Sequence, residues 1–272
     1  MPRHGLGVLE RAAGLEFYTG RRGPPQYEIG HSRMQAIPKG GGWQVRLPNG
    51  GGGNVTRTSK PPVKAVIDDK VRALLDRYRC PVPFHAVRTR FLGNIASPVM
   101  SASPLDTLKG LWGGELPEFD SLDAVNELLA VLIRGLWNRL ARHQERSAPF
   151  RLLRVDISGT REGLAGISLI RREELDGFIY GLFGKEESLE LPERARRALT
   201  ALSEMRAMLE GIRVVAGDPT KPATFDDIAQ ALGNVRELTR IREREIHEAV
   251  VSCTRARRQT LRSMLTAKPT LH

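Results

Sequence analysis

The stretch GLWGGELPEFDSLDAVNELLAVLIRGLWNRL, residues 110–140, decides the fold class. Gly113 and Gly114 directly follow Trp112, at a position where a helix usually closes with a residue in left-handed conformation, which glycine adopts at low cost. Asp120 then provides an N-cap for a long helix. The apolar face of that helix consists of Val125, Leu128, Leu129, Leu132, Leu136 and Leu140. The stretch therefore predicts a turn between two packed helices.

A phosphate-binding loop is the other function that such a glycine pair could have. That loop would need a strand before the glycines and usually a Lys, Ser or Thr just after them. Here a helical pattern precedes the pair and Glu115 follows it. We therefore interpret the pair as a structural turn.

Apolar residues recur at helical spacing through most of the chain after residue 65, and proline or glycine separates the segments. Gly177 and Gly181 lie four residues apart in one of these segments, and in a globular chain they predict the close approach of a neighbouring helix. The sequence thus predicts an all-α fold with a multi-helix, bundle-like core from about residue 65 to 265. The predicted helical segments are 66–79, 84–97, 104–112, 120–140, 169–183, 192–212 and 225–265.

The N-terminal part of the chain has a different composition. Residues 1–62 contain 13 of the 27 glycines and seven of the 17 prolines, so we expect a flexible arm. Alternating Trp43, Val45 and Leu47, followed by a turn sequence, predict a small β-hairpin near residues 43–58. The predicted organisation is a basic arm (1–64), a helical domain (65–216), and a long helix with a basic tail (217–272).

Composition limits the class of protein. The 272 residues are 40% hydrophobic and only 6% aromatic, and no run of 18 apolar residues occurs. The N-terminus lacks the apolar core of a secretory signal, and two isolated cysteines fit a reducing compartment. We expect a cytoplasmic protein that does not enter the membrane.

The net charge of +11 lies in the two ends of the chain. Residues 1–64 carry ten Lys/Arg against three Glu, residues 249–272 carry five Lys/Arg and no acid, and the middle sums to −1. Basic ends can bind nucleic acid by neutralising phosphates, or they can be solvated tails that keep the chain soluble.

Motifs for catalysis are weak. Cys80 could be a nucleophile with His85, but nothing in the sequence positions a third group. Ser168 lacks a nucleophile elbow, and the six histidines are scattered singly, so His247 is interpreted as a helix-surface residue. The carboxylates of the RREELD sequence at 171–176 are interpreted as a solvated face. We predict no catalytic residue, no cofactor and no metal site.

Residues 224–248, TFDDIAQALGNVRELTRIREREIHE, resemble the helix-turn-helix of sigma-factor region four, with a turn at Gly233-Asn234. A second helix placed in a major groove would then present arginines to DNA. One continuous apolar stripe across Gly233 instead favours a single long helix. The candidate nucleic-acid contacts are Arg236, Arg240, Arg242, Arg244, Arg255, Arg257, Arg258 and Arg262.

Residues 91–140 also carry a family resemblance, through Pro98, the Trp-Gly-Gly sequence at 112–114 and the Pro-Glu-Phe sequence at 117–119. Together with the later Asp-Gly-Phe at 176–178, they resemble the core of YecA/YgfB-type bacterial proteins over roughly residues 84–184. The resemblance implies an all-α fold without an assigned enzymatic activity. Some family members end in a Cys/His-rich metal-binding tail that this sequence lacks, so the resemblance implies no zinc.

The sequence therefore predicts a non-enzymatic protein that acts by binding a protein partner, or a second copy of itself. The alternative is a DNA-binding regulator that uses residues 224–248 and the basic ends.

Overall fold

The computed structural model describes residues 63–266. The predicted hairpin at 43–58 and all but the last two residues of the predicted arm lie outside this range. Within it, the chain folds into helices and contains no strand, which confirms the all-α prediction. No helix between residues 63 and 266 has an apolar stretch that would reach across a lipid bilayer.

Most helices follow the predicted segments closely, but the helix predicted at 169–183 was wrong at its start, since it begins eight residues earlier, at Arg161. The long segment at 120–140 changes its winding along its length and continues into a short 3-10 turn. In chain order the elements are α1 (Val63–Arg77), α2 (Phe84–Ala96), α3 (Pro104–Gly110), α4 (Leu122–Leu129), a π-helix (Ala130–Trp137), α5 (Asn138–Ala141), a 3-10 turn (Arg142–Gln144), α6 (Arg161–Phe183), α7 (Glu193–Gly217) and α8 (Phe225–Thr266).

The Trp-Gly-Gly sequence forms the predicted turn. Gly113 and Gly114 have φ angles of 85° and 120°, and the Gly114 N–H donates to Lys109 O at 3.0 Å. The indole Nε1 of Trp112 donates to Tyr78 O at 2.9 Å and so ties the turn to the end of α1. The glycines therefore close α3 by the left-handed geometry that L side chains rarely adopt.

The predicted N-cap of the next helix was wrong by one residue. Ser121, not Asp120, caps α4, and its hydroxyl accepts from the Ala124 N–H at 3.2 Å. Both residue types suit this position, so the sequence alone does not separate them.

The π-helix is a second departure from the predicted α-helix at 120–140. Leu128, Leu132, Leu136 and Leu140 are all buried and lie four residues apart. At 3.6 residues per turn each step of four rotates the stripe by about 40°, so the last leucine would face about 120° from the first. The wider π winding turns the stripe back and keeps these leucines against the core.

The core is organised around α2 and α6, whose backbones approach each other closely with almost no side chains between them. A Cβ added at Gly177 would lie 2.7 Å from Ala86 O, and one added at Gly93 or Gly181 would lie closer still to the facing backbone. The close approach predicted from Gly177 and Gly181 is thus confirmed. Because α2 is surrounded, almost all of its side chains are buried.

Helices α7 and α8 complete the bundle on the other side of α6. Ala198, Leu202 and Leu209 of α7 are buried in the same apolar cluster as Val250 and other residues of α8. The chain between the 3-10 turn and α6 has no regular helix, and its Phe150 is fully buried. The middle of α8, from Leu232 to Thr254, is therefore part of the core, which decides which of its arginines can reach a partner.

Candidate binding surface at the end of the last helix

The eight predicted contact arginines do not share one surface. Six of them are exposed on α8, and Arg257 is half-buried. Arg242 is fully buried. The exposed arginines fall into two groups, Arg236, Arg240 and Arg244 in the middle of the helix and Arg255, Arg258 and Arg262 at its end.

Arg242 was wrongly predicted as a contact residue. Its guanidinium lies in the core and donates to Arg171 O at 3.0 Å and to the Thr239 hydroxyl at 3.2 Å. Burial lowers the pKa of Arg242 to about 10, although the carboxylate of Glu174 opposes that shift. The buried residues Val235 and Ile246 lie seven positions before and four after it, so helical spacing could have placed it inward.

Arg257 joins α8 to the end of α2. Its guanidinium donates to Ser97 O at 3.0 Å and to the Gln144 side-chain oxygen at 3.4 Å. Ser97 is the C-cap residue of α2, so the arginine satisfies a carbonyl that the helix leaves without an intrahelical donor. Arg257 is therefore a structural residue, and its predicted role as a contact is corrected.

The predicted helix-turn-helix alternative is also wrong, because α8 runs without interruption through Gly233. The Thr-x-x-Asp sequence at its start is a capping box. Thr224 N–H donates to the Asp227 carboxylate at 2.9 Å, and Asp227 N–H donates to the Thr224 hydroxyl at 3.2 Å. The resemblance to a regulator thus came from helix-capping chemistry followed by an apolar stripe.

The last turns of α8, residues 255–266 and hereafter the α8 end, extend beyond the core. Apart from Ala256 and Arg257, every side chain in this segment is exposed. The exposed residues include Arg255, Arg258 and Arg262, and the sequence has no acid after Glu248. The α8 end is therefore a positively charged helical projection.

The α8 end also carries apolar side chains. Leu261, Met264 and Leu265 are 38%, 61% and 85% exposed. Their spacing places them on the face that Val250 and Cys253 bury further back along the helix. The apolar stripe that packs α8 into the core thus continues past the core, where Met264 and Leu265 are mostly exposed.

Neither nucleophile candidate forms a catalytic arrangement. The Cys80 thiol contacts Leu111 O at 3.8 Å, and burial raises its pKa to about 11. His85 pairs instead with Glu173, with Nε2 2.7 Å from the carboxylate. Ser168 is buried, and its hydroxyl donates to Leu164 O within its own helix.

The RREELD sequence was wrongly interpreted as a solvated face. Glu174 is fully buried and accepts from Arg171 at 2.7 Å, although Glu173 and Asp176 are only partly buried. His247 was also wrongly placed, since it is only 8% exposed. Between residues 63 and 266, no group of three His, Cys, Asp or Glu side chains is arranged to hold a metal ion.

A cavity of about 350 Å³ borders the Trp-Gly-Gly turn. Lys109 and Lys185 in its wall are balanced by Asp106 and Glu186, so the wall has no net charge that would select an anion or a cation. The cavity adds no support to a phosphate site at the glycines.

Comparisons with known proteins add nothing to this geometry. The chain matches no protein-family model, no curated protein and no solved structure.

Proposed function

We propose that this protein acts by binding, in the cytoplasm, and that the α8 end is the surface that engages a protein partner. The observation that carries the proposal is the apolar stripe of Leu261, Met264 and Leu265, which is exposed on a projecting helix. Exposed apolar stripes on amphipathic helices are typical of helix-in-groove recognition.

The positive charge of the α8 end indicates the chemistry of the partner's surface. Arg255, Arg258 and Arg262 are exposed, and this part of the helix has no acid to pair with them. A partner with an apolar groove bordered by carboxylates would bury the stripe and neutralise the arginines. Two copies of the α8 end packed together would bring six arginines into repulsion, which disfavours self-association through this surface.

The resemblance to YecA/YgfB-type proteins remains a prediction. The binding role proposed here agrees with that resemblance, because the family has no assigned enzymatic activity.

Comparative co-purification tests the proposal. The full chain is compared with a Leu261→Ser/Leu265→Ser variant and with an Arg258→Glu/Arg262→Glu variant, both of which alter only exposed side chains. We expect a partner that both variants lose, and that binds the full chain after separate purification. Equal recovery of every co-purified protein by the three forms would contradict the proposal.

DNA binding is the second candidate, because Arg255, Arg258 and Arg262 lie at i, i+3 and i+7 on one side of the helix. Such a row could track phosphates and would give salt-dependent, sequence-tolerant affinity. Fluorescence anisotropy with a mixed-sequence duplex at low and moderate salt tests it. Replacement of all three arginines by glutamine should abolish binding. Deletion of α8 is unsuitable as a test, because it would also remove core residues such as Ile246 and so disrupt the fold.

A further inference from the structure

We propose that the cavity between the 149–151 segment and the middle of α8 binds a small phosphate monoester. The cavity has a volume of about 320 Å³, which lies within the range of small-molecule sites. Its wall includes Phe150, Arg151, Arg240, Glu243, Arg244 and His247. This site is separate from the α8 end, and the inference does not depend on the function proposed above.

Three guanidinium groups border the cavity. Arg240 and Arg244 are largely exposed, and between residues 63 and 266 they pair only with Glu237, at 3.0 Å, and Glu245, at 3.4 Å. Exposed ion pairs of this kind contribute little, so either arginine can exchange its carboxylate for a ligand oxygen. Two exchangeable arginines at one cavity favour a phosphate, whose three terminal oxygens can accept from both guanidinium groups at once.

The carboxylate in the wall does not oppose an anion strongly. Glu243 accepts from the Leu152 N–H at 2.9 Å through one oxygen and from Arg151 at 2.7 Å through the other. Both oxygens are thus engaged, and the side chain fixes the 151–152 backbone against α8. Glu243 therefore builds the wall, and Arg151 offsets its charge.

His247 provides the independent observation that points to a ligand. It is more than nine-tenths buried, and neither ring nitrogen has a hydrogen-bond partner in the described part of the chain. A buried polar group without a partner destabilises the folded protein. Both ring nitrogens are almost closed to solvent, so a phosphate oxygen accepts a hydrogen bond from the imidazole once the cavity wall shifts enough to expose one of them, and binding then satisfies a buried polar group.

The core behind the cavity is also positively charged. The buried guanidinium groups of Arg88, Arg171 and Arg242 share the buried carboxylate of Glu174. The Arg242 side chain interacts electrostatically with Glu243 in the cavity wall. Fixed positive charge in a poorly solvated core raises the potential in an adjacent cavity, which attracts an anion.

Titration calorimetry on the full chain tests the inference, with inorganic phosphate and phenyl phosphate as probes. We expect saturable binding that weakens by about tenfold or more in the Arg240→Gln/Arg244→Gln variant. Arg236→Gln is the matched control, since Arg236 is exposed on the same helix outside the cavity, and it should bind as the natural sequence does.

Three results would overturn the inference. The first is the absence of saturable binding of both probes, and the second is equal affinity in the double variant and the control. The third is binding of a mixed-sequence DNA duplex without binding of either small probe, which would assign the arginines to a nucleic-acid backbone instead. His247→Gln is a second test that keeps a polar side chain, and it should weaken phenyl phosphate binding without loss of the helical circular dichroism signal.

Discussion

Arg171 and Glu174 form an ion pair of 2.7 Å in which both side chains are buried, one turn apart on α6. The Arg171 guanidinium also donates to Leu153 O at 2.7 Å. The backbone carbonyl of Arg171 accepts a hydrogen bond from the Arg242 guanidinium. The pair thus connects α6, α8 and the irregular segment before α6.

Glu174→Gln should lower the free energy of unfolding by about 3–5 kcal/mol, because it leaves buried guanidinium charge without its carboxylate. Urea denaturation measures this change. The control is Glu204→Gln, which alters an exposed glutamate of α7 and should change stability by less than about 0.5 kcal/mol. Similar effects for the two variants would show that the buried carboxylate does not hold the cluster together.

Gly177→Ala should lower the free energy of unfolding by about 3 kcal/mol, because its Cβ would lie 2.7 Å from both Ala86 O and the Thr89 hydroxyl. Gly166→Ala on the same helix is the matched control, since nothing lies within 4 Å of its Cβ. That control should raise stability by up to about 1 kcal/mol. Thermal denaturation compares the two, and a stabilising Gly177→Ala would contradict the α2–α6 packing.

Glu210 should contribute stability that disappears in acid. Hydrogen bonds from Arg213 and then Arg172, both at 2.6 Å, hold the pKa of Glu210 at about 2 against an ordinary 4.5. The depressed pKa means that the contribution is present above pH 4.5 and is lost as pH falls towards 2.

The natural sequence should therefore exceed Glu210→Gln in stability at pH 7, and the difference should shrink between pH 4.5 and 2. Solvent screening at this carboxylate, whose side chain is 34% exposed, keeps the difference at about 1 kcal/mol. Urea midpoints across this range measure it, and a constant difference would exclude the proposed pKa.

The two thiols should react slowly in the folded protein. Burial raises the pKa of Cys80 to about 11 and that of Cys253 to about 12, so little thiolate exists near neutral pH. Reaction with Ellman's reagent at pH 8 should modify half-buried Cys80 before fully buried Cys253, and both should react rapidly in denaturant. Fast reaction of Cys80 in the native protein would contradict the raised pKa and would support Cys80 as a nucleophile.

The helices could be predicted because apolar spacing reports which face is buried. Leu128, Leu132, Leu136 and Leu140 were all placed on the apolar face by spacing alone, and all are buried. The glycine turn was also predictable, because only glycine takes its left-handed geometry at low cost.

The buried charges could not be predicted by residue type, because charged side chains are usually exposed. Spacing did carry a signal, however. Glu174 lies seven residues after Ile167 and four before Phe178, both of which are buried. A charged residue inside an apolar stripe indicates a buried ion pair. The other contacts of that pair depend on how helices and loops pack, as the hydrogen bond from Arg171 to Leu153 O shows.

One measurement decides whether the α8 end engages a protein. A photoreactive benzophenone side chain replaces Leu265, which is 85% exposed, or Val214 on α7, which is 53% exposed and serves as the control. Cells that produce the protein are irradiated, and crosslinked adducts are compared with and without Arg258→Glu/Arg262→Glu. We predict a discrete protein adduct from position 265 that the charge reversal removes and that position 214 does not form. The same adducts from both positions, or only nuclease-sensitive adducts from position 265, would contradict the proposal.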